Sequence, residues 1–342
     1  VPIFTIMKYE FSIIIPVYNR PDEIDELLQS CLSVQGIDCC EIVIIEDGSG
    51  VNCKSVIEGY EANLHISYFY KPNSGPGDSR NFGMKNAKAD YFIILDSDVL
   101  LPEDYILNIK NNLKQEYVDC FGGPDRAHQN FSAVQKAINY AMTSFWTTGG
   151  VRGNKHQRKG FQPRSFNMGL SKKAFLKSGG FSNIHPGEDP DLSLRLNKMG
   201  FKTTLFVDCY VYHKRRINWQ SFAKQVYKFG LVRPILNLWH PHTHKLVFYI
   251  PTLFCLGLLL SIVLAGLNIY WFLIIYIFYF IFVFIDALLK NKSLIIAFYA
   301  VWAVIIQFFA YGYAYMKSTV MLLLLKTKPE KMYPFLFIKK SS

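Results

Sequence analysis

Two aspartates, Asp96 and Asp98, follow an apolar run at residues 91–95 and are separated by one serine. Carboxylates at this spacing can bind one divalent cation, Mg²⁺ or Mn²⁺, which takes oxygen ligands and bridges to diphosphate oxygens. Acidic residues after a strand also cap turns, so the pair alone is a weak signal. The preceding run is typical of a buried strand and favours the metal-binding interpretation.

A second acidic group lies at residues 187–191, which read Gly-Glu-Asp-Pro-Asp. One carboxylate here can act as a general base that deprotonates an attacking hydroxyl. A helix is predicted for residues 192–199, and acids stabilise the first turn of a helix. Part of this acidic run therefore has a structural role.

Residues 71–83 read Lys-Pro-Asn-Ser-Gly-Pro-Gly-Asp-Ser-Arg-Asn-Phe-Gly and form a turn before a predicted helix. Gly75 and Gly77 permit close approach of a ligand to the backbone, and Arg80 offers a bidentate donor for phosphate or a base edge. The chain contains neither a G-x-G-x-x-G nor a G-x-x-x-x-G-K-[ST] motif. The sequence therefore lacks the main motif of dinucleotide-binding oxidoreductases and that of P-loop ATPases.

The elements that must position these residues alternate between strand and helix. Apolar runs predict strands at residues 11–17, 41–45, 65–70 and 91–95, and helical spacing predicts helices at 21–35 and 79–89. Such alternation indicates a parallel sheet covered by helices, in which ligands bind beyond the carboxyl ends of the strands. Residues 16–20, 46–49 and 96–98 all fall at those ends, so we expect three polar clusters to face one crevice.

Together these motifs resemble those of family 2 glycosyltransferases, which have the GT-A nucleotide-diphospho-sugar fold. The resemblance covers residues 10–230. Five motifs occur in the family's order and spacing: Ile-Ile-Pro-Val-Tyr-Asn-Arg (14–20), Glu-Asp-Gly-Ser (46–49), Asn-Ser-Gly-Pro-Gly-Asp-Ser-Arg-Asn-Phe-Gly (73–83), Leu-Asp-Ser-Asp (95–98), and Gly-Gly-Phe (179–181) followed by Gly-Glu-Asp-Pro-Asp-Leu-Ser-Leu-Arg-Leu (187–196).

The resemblance implies a role for each matched residue. It implies Asp98 as metal ligand, Asp189 as catalytic base and Glu188 as the residue that positions the acceptor or the base. The implied reaction is an inverting displacement at the anomeric carbon of a nucleotide-diphospho-sugar, with UDP favoured over GDP and Mg²⁺ or Mn²⁺ as cofactor. The implied nucleotide-sugar-binding residues are Pro16, Tyr18, Arg20, Asp47, Arg80 and Asp96.

Several further polar residues are weaker candidates. His213 corresponds to a histidine that approaches the metal or diphosphate in relatives, and the alternative is a structural role. Residues 152–164 are basic without an acid, which is typical of a solvated loop or of a lid over the diphosphate. The candidates for contact with diphosphate or acceptor are Arg164, Arg215, Arg216, Gln225 and Lys228.

The C-terminal part has a different composition. Residues 246–285 and 294–316 contain no Asp, Glu, Lys or Arg. A membrane-spanning helix needs about 20 apolar residues, so we predict three spans at 246–266, 269–289 and 294–316. The predicted domains are a GT-A domain at 1–215, interfacial helices at 216–245, a transmembrane region at 246–325 and a basic tail at 326–342.

The charge distribution predicts how the chain faces the membrane. The net charge is +11, and seven Lys or Arg lie between His213 and Lys245 without an acid. By the positive-inside rule the GT-A domain is cytoplasmic, on a plasma membrane such as the bacterial inner membrane. Anionic lipid headgroups account for the positive charge, so no nucleic-acid partner is predicted. A third span would place the basic tail on the opposite side of the membrane from the GT-A domain, which the positive-inside rule disfavours.

The acceptor is predicted from this membrane attachment. A lipid-linked or glycolipid acceptor fits an active site beside a membrane. A polyprenyl-phosphate acceptor is already an anion and needs no general base, whereas a sugar hydroxyl does, so the Glu188-Asp189 motif favours a hydroxyl. The chain is therefore predicted to be a metal-dependent hexosyltransferase. The alternatives are a polyprenyl-phosphate glycosyl transferase, a processive polysaccharide synthase and a non-catalytic membrane scaffold. Lys228 and Phe229 depart from the Q-x-x-R-W motif of processive enzymes.

Overall fold

The computed structural model describes residues 9–126, 131–149, 161–213 and 218–337. The chain divides into two compact units. Among the described residues, the first unit holds 9–126, 161–213 and Phe337, and the second holds 131–149 and 218–336. The domain boundaries given above stay predictions.

The first unit is built around a seven-stranded sheet of order β3-β2-β1-β4-β8-β6-β9, with β1 to β4 all parallel. Strand β8 is antiparallel to both β4 and β6. The four strands predicted from apolar runs are confirmed. The strands are β1 (Phe11–Val17), β2 (Cys40–Asp47), β3 (Ile66–Lys71), β4 (Tyr91–Leu95), β5 (Val99–Leu100), β6 (Cys120–Gly122), β7 (Asp125–Arg126), β8 (Asn167–Ser171), β9 (Thr203–Leu205) and β10 (Val211–His213).

Helices cover both faces of this sheet, which explains why its central strands are continuously apolar. Ile13 and Ile15 on β1 pack in a core with helices α1 and α4, whereas Ile14 packs on the opposite side with α3, α7 and α8. Full burial of one such isoleucine contributes roughly 1.5–3 kcal/mol. The helices of this unit are α1 (Pro21–Cys31), α2 (Lys54–Glu58), α3 (Pro76–Asn86), α4 (Tyr105–Gln115), α7 (Lys172–Ser178) and α8 (Glu188–Lys198).

A small second sheet of order β5-β10-β7 positions His213, which ends β10. β10 pairs antiparallel to β5, which sets His213 opposite Val99, and parallel to β7, which sets Val211 opposite Asp125. Because Asp98 precedes Val99, this register brings His213 beside Asp98. Two residues far apart in sequence thus meet through a two-residue strand.

The second unit consists of helices. The helices are α5 (Ala133–Thr143), α6 (Phe145–Thr148), α9 (Trp219–Trp239), α10 (Ile250–Gly266), α11 (Trp271–Asn291), α12 (Leu294–Leu325) and α13 (Pro329–Met332). Their shared core includes Ile138 and Tyr140 of α5, Phe222 of α9, and Ala300 and Val304 of α12.

Two of these helices are long and apolar enough to cross a membrane, α11 with 21 residues and α12 with 32. The prediction of three spans is therefore corrected to two in the described part of the chain. The first predicted span forms only the 17-residue helix α10, because residues 246–248 form a separate 3-10 turn and Pro251 lies in the first turn of the helix. Helix α12 continues past its predicted end at residue 316 to Leu325.

Candidate active site

Strands β1, β2 and β4 are parallel neighbours, so the turns that follow them lie at one edge of the sheet. These turns carry residues 16–20, 46–49 and 96–98, as predicted. Ser97 Oγ donates to Glu23 Oε2 at 2.7 Å, and Arg20 Nη1 donates to Glu23 Oε1 at 2.8 Å. Helix α1 is thereby hydrogen-bonded to the Asp96–Asp98 turn.

Asp47, at the end of β2, fastens the loop that precedes α3. The Ser74 and Gly75 N–H groups donate to its two carboxylate oxygens at 2.9 and 2.8 Å. Lys71 Nζ donates to Asp47 Oδ1 at 2.8 Å, and both side chains are buried. A carboxylate has about four acceptor positions, so Oδ2 keeps one for a ligand. Lys71 opens the motif at residues 71–83, but its pairing with Asp47 was not predicted from the sequence.

Gly48 is required by the turn after β2. It adopts φ +73°, and a Cβ there would lie 2.5 Å from the Asn73 backbone nitrogen. Gly179 has the same kind of backbone, φ +74°, with nothing within 4 Å of its Cβ position. Comparing substitutions at the two glycines therefore distinguishes the cost of left-handed backbone from the cost of steric contact.

We expect Gly48→Ala to lower the free energy of unfolding by more than the about 1–2 kcal/mol that left-handed backbone costs an L-residue. Gly179→Ala is the matched control and should lose only that amount. Thermal unfolding of both variants checks this, and equal losses would contradict the steric argument.

Arg80 lies at the centre of the site, buried on helix α3. Its guanidinium donates to Asp96 Oδ1 at 2.6 Å and to Glu188 Oε1 at 3.2 Å, and it lies over the Phe181 ring at 5.4 Å. The planar fork of arginine suits two carboxylates at once. Arg80 therefore connects the two acidic motifs seen in the sequence.

Glu188 and Asp189 begin helix α8, and their environments move their pKa values apart. Burial favours a raised pKa for Glu188, but His185, whose Nδ1 lies 3.0 Å from Oε1, and Arg80 outweigh it and lower the pKa to about 2. Burial raises the pKa of Asp189, Arg164 at 3.7 Å opposes this, and the Glu188 charge adds to the rise. Opposite shifts in neighbouring acids are typical of a site with an acid–base role.

Asp96, Asp98 and His213 form a cluster with metal-ligand chemistry. One ligand atom from each lies within 4.8 Å of the others. His213 Nε2 lies 3.1 Å from Asp98 Oδ1. The two carboxylates suit Mn²⁺ or Mg²⁺, so they fit the predicted cation, and the imidazole adds a nitrogen ligand that Mg²⁺ does not prefer.

Two residues that sequence reasoning missed lie beside the imidazole of His213. Asp125 Oδ2 lies 3.9 Å from His213 Nδ1. The Phe166 ring stacks on the imidazole, with centroids 4.8 Å apart. Carboxylates beside the second nitrogen of a ligating histidine orient the ring. No motif marked Asp125, because its position depends on pairing between the short strands β7 and β10.

Residues 12–178 match the model of the family described as glycosyl transferase family 2. The match supports a family 2 glycosyltransferase domain in this chain. The matched segment includes Asp96 and Asp98 and ends before Glu188.

Curated relatives, several of them described as glycosyltransferases, match this chain over a short length. The chain is 42% identical over 95 residues to an uncharacterized glycosyltransferase of Rickettsia felis, covering 28% of this chain and 16% of the relative. It is 32% identical over 109 residues to the minor teichoic acid biosynthesis protein GgaB of Bacillus subtilis, covering 30% of this chain and 12% of the relative. The chain thus spans less than a fifth of the length of these two curated relatives.

One solved structure shares the fold over most of the chain. It is the mannosyltransferase PcManGT from Pyrobaculum calidifontis, in complex with GDP-Man and Mn²⁺. The TM-score is 0.56 at 15% identity, and the match covers 93% of this chain and 88% of that one. This likeness supports the predicted GT-A-like α/β fold and shows the fold alone.

The other predicted residues of the glycosyltransferase site are distributed as follows. Pro16 is buried at the end of β1, whereas Tyr18 and Arg20 are exposed beyond it. Gln225 and Lys228 lie on α9 in the second unit. Arg215, Arg216 and residues 152–160 of the predicted lid lie outside the described residues.

Proposed function

We propose that this chain is an inverting glycosyltransferase that moves a sugar from a nucleotide-diphospho-sugar to a hydroxyl group of a lipid-linked glycan or glycolipid. One observation carries the proposal. Arg80 contacts both Asp96, one of the three candidate metal ligands, and Glu188, which is next to Asp189 in the sequence. Arg80 thereby joins a residue of the proposed cation site to the neighbour of the proposed base.

The donor end of the site is the edge where β1, β2 and β4 finish. Asp96, Asp98 and His213 would hold the cation, and a bound Mn²⁺ or Mg²⁺ would neutralise charge on the leaving diphosphate. Pro16, Asp47 and the loop fastened by Lys71 are proposed to receive the nucleotide. PcManGT, which has the same fold, was solved with a nucleotide sugar and Mn²⁺, which agrees with this assignment. We keep UDP as the favoured nucleotide.

Asp189 is proposed to act on the acceptor. Its carboxylate takes the proton of the acceptor hydroxyl as that oxygen attacks the anomeric carbon. The bond from this carbon to the phosphate oxygen breaks, and the diphosphate leaves with the electron pair, so the configuration inverts. Glu188 stays ionised because of its low pKa, and it positions Arg80. Its buried Oε2 has no hydrogen-bond partner among the described residues, which leaves an acceptor atom for a ligand hydroxyl.

A membrane-borne acceptor is proposed from the second unit. Helices α11 and α12 have the length and hydropathy of membrane spans. The basic residues before them favour a cytoplasmic catalytic domain at the plasma membrane. GgaB is named for teichoic acid biosynthesis, which agrees with a glycan acceptor. A base at Asp189 favours a hydroxyl acceptor over a lipid phosphate.

A thermal-shift screen of nucleotide sugars with Mn²⁺, on the full chain in detergent, tests the proposal. We expect one nucleotide sugar to raise the unfolding midpoint, and its effect to require Mn²⁺. A ligand at 100 times its Kd adds about 2.7 kcal/mol of stability. No shift with any nucleotide sugar, or the same shift without a cation, would contradict the donor assignment.

We expect Asp98→Ala to weaken Mn²⁺ and nucleotide-sugar binding together. Loss of a neighbouring support costs ~10–100-fold in metal affinity, and loss of a ligand should cost at least as much. Asp90→Ala is a suitable control, because Asp90 precedes β4 and is 68% exposed. Calorimetric titrations of both variants check the result, and unchanged Mn²⁺ affinity in Asp98→Ala would exclude Asp98 as a ligand.

A further inference from the structure

Helices α5 and α6 follow β7 in sequence, yet they pack with the helices of the second unit. Tyr140 Oη donates to Asp286 Oδ2 at 2.6 Å, and Lys290 Nζ lies 2.8 Å from the same oxygen. Asp286 is the one acid of α11, and these two partners stabilise its charge. A polar contact thereby attaches α5 to a candidate membrane helix.

The short helix α6 is attached more closely. The carbonyl of Trp146 accepts from Tyr279 Oη at 3.1 Å, and the carbonyl of Thr147 accepts from Gln307 Nε2 at 3.2 Å. The last carbonyls of a helix have no partner within the helix, so α11 and α12 supply one for each of these two. The Trp146 ring also packs edge to face on Phe282, with centroids 4.7 Å apart.

The outer side of α6 continues the apolar surface of α11. Phe145 is 63% exposed and Trp146 is 49% exposed, beside Phe282 at 42%. Phe278 and Ile275 on the same helix are 66% and 64% exposed. A patch of this kind on a soluble surface marks an interaction site. Because Trp146 touches Phe282, whatever covers α11 there also covers α6.

We propose that α6 is a membrane-contacting element, with Phe145 and Trp146 against bilayer lipid beside α11. Lipid is the favoured occupant because α11 has the length and mean hydropathy of a span and is mostly exposed. Tryptophan is also enriched where membrane meets water. The inference rests on the membrane attachment in the proposed function and extends it to a segment that no hydropathy signal marked.

This attachment bears on the acceptor. In sequence, α5 and α6 stand between Asp125, which faces His213, and Arg164, which faces Asp189. The chain therefore runs from one site residue into a lipid-contacting segment and back to another. Two site residues thus flank the proposed lipid-contacting segment in the sequence, which agrees with a lipid-linked acceptor.

Tryptophan quenching by brominated lipid tests the inference on the full chain. The protein is reconstituted in phosphatidylcholine vesicles with ordinary or brominated acyl chains, and the fluorescence lost on exchange is measured. The chain has five tryptophans, so the loss is a sum over them. We expect Trp146→Phe to reduce the loss and Phe145→Trp to increase it.

Trp271→Phe is the matched control, because Trp271 begins α11 and is 78% exposed. A smaller loss in Trp271→Phe together with an unchanged loss in both α6 variants would overturn the inference and leave membrane attachment intact. That result would mean that protein, such as a second copy of the chain, covers α6. No quenching in the unaltered chain would overturn membrane attachment as well. None of these measurements uses transferase activity, so they are independent of the catalytic assignment.

Discussion

We expect Asp189→Asn to lower the rate of sugar transfer about 10²–10⁴-fold, the usual contribution of a general base, and to leave nucleotide-sugar and Mn²⁺ binding unchanged. The amide has nearly the same shape but cannot take the acceptor proton. The measurement is transfer rate against donor affinity, determined on the same preparation. Transfer near the unaltered rate would exclude Asp189 as the base.

Asp191→Asn is the matched control for this substitution. Asp191 lies in the same first turn of α8 and pairs with Arg195 at 2.9 Å; it is buried, whereas the Asp189 side chain is 17% exposed. Arg195 in turn donates to the carbonyls of Ser178 and Gly180, both at 2.6 Å. Asp191→Asn should therefore lower stability while the folded protein keeps its transfer rate.

The pH dependence of transfer provides a second measurement of the same residue. A base works only when deprotonated, so activity is lost as the pH falls through the pKa of Asp189. Because burial raises that pKa in the ligand-free protein, the acidic fall in kcat/KM should lie at higher pH than an ordinary aspartate gives. Glu188, with its pKa near 2, stays ionised over this range. An acidic fall at the ordinary aspartate pKa would contradict the buried-base assignment.

The first half of the sheet could be predicted from the sequence because each strand is a continuous apolar run ended by a polar turn. Strands β1, β2 and β4 come close to this form, whereas β3 contains Ser67 and is only partly buried; the parallel pairing follows from the helices between the strands. The position of Asp96 and Asp98 at the carboxyl edge follows directly. The local sequence pattern is sufficient to predict a site residue where that residue directly follows a buried strand.

The positions of the other site residues depend on contacts between elements that are far apart in the sequence. β5 and β7 have two residues each and β10 has three, so no periodicity marks them, although they bring Asp125 and His213 to Asp98. The bond from Lys71 to Asp47 and the contact between Arg80 and Glu188 likewise join residues from separate motifs. Helix α5 belongs with the second unit because its apolar side chains share a core with α9 and α12, and α6 because of aromatic and polar contacts with α11 and α12.

Arg80→Ala removes the cation shared by Asp96 and Glu188, and it should cost more stability than the other substitutions considered. Removing one partner from a buried ion pair costs about 3–5 kcal/mol, because the remaining charge loses its partner; here Glu188 keeps only the contact with His185 Nδ1 at 3.0 Å. Glu188 is 5% exposed and Asp96 is 32% exposed, so Glu188 bears most of the loss. The unfolding midpoint should fall by about 6–20 °C, and transfer should be lost.

Two comparisons identify the cause of that loss. Lys110→Ala removes an exposed pair with Glu10, which should cost at most about 1 kcal/mol. The double variant Arg80→Met, Glu188→Gln replaces the buried charges on both sides. Because it leaves no unpaired charge at position 188, it should recover part of the stability lost in Arg80→Met alone. Recovery without transfer would show that the Arg80–Glu188 pair is needed for chemistry as well as folding. A double variant no more stable than Arg80→Met would show that the buried Glu188 charge is not what destabilises the single variant.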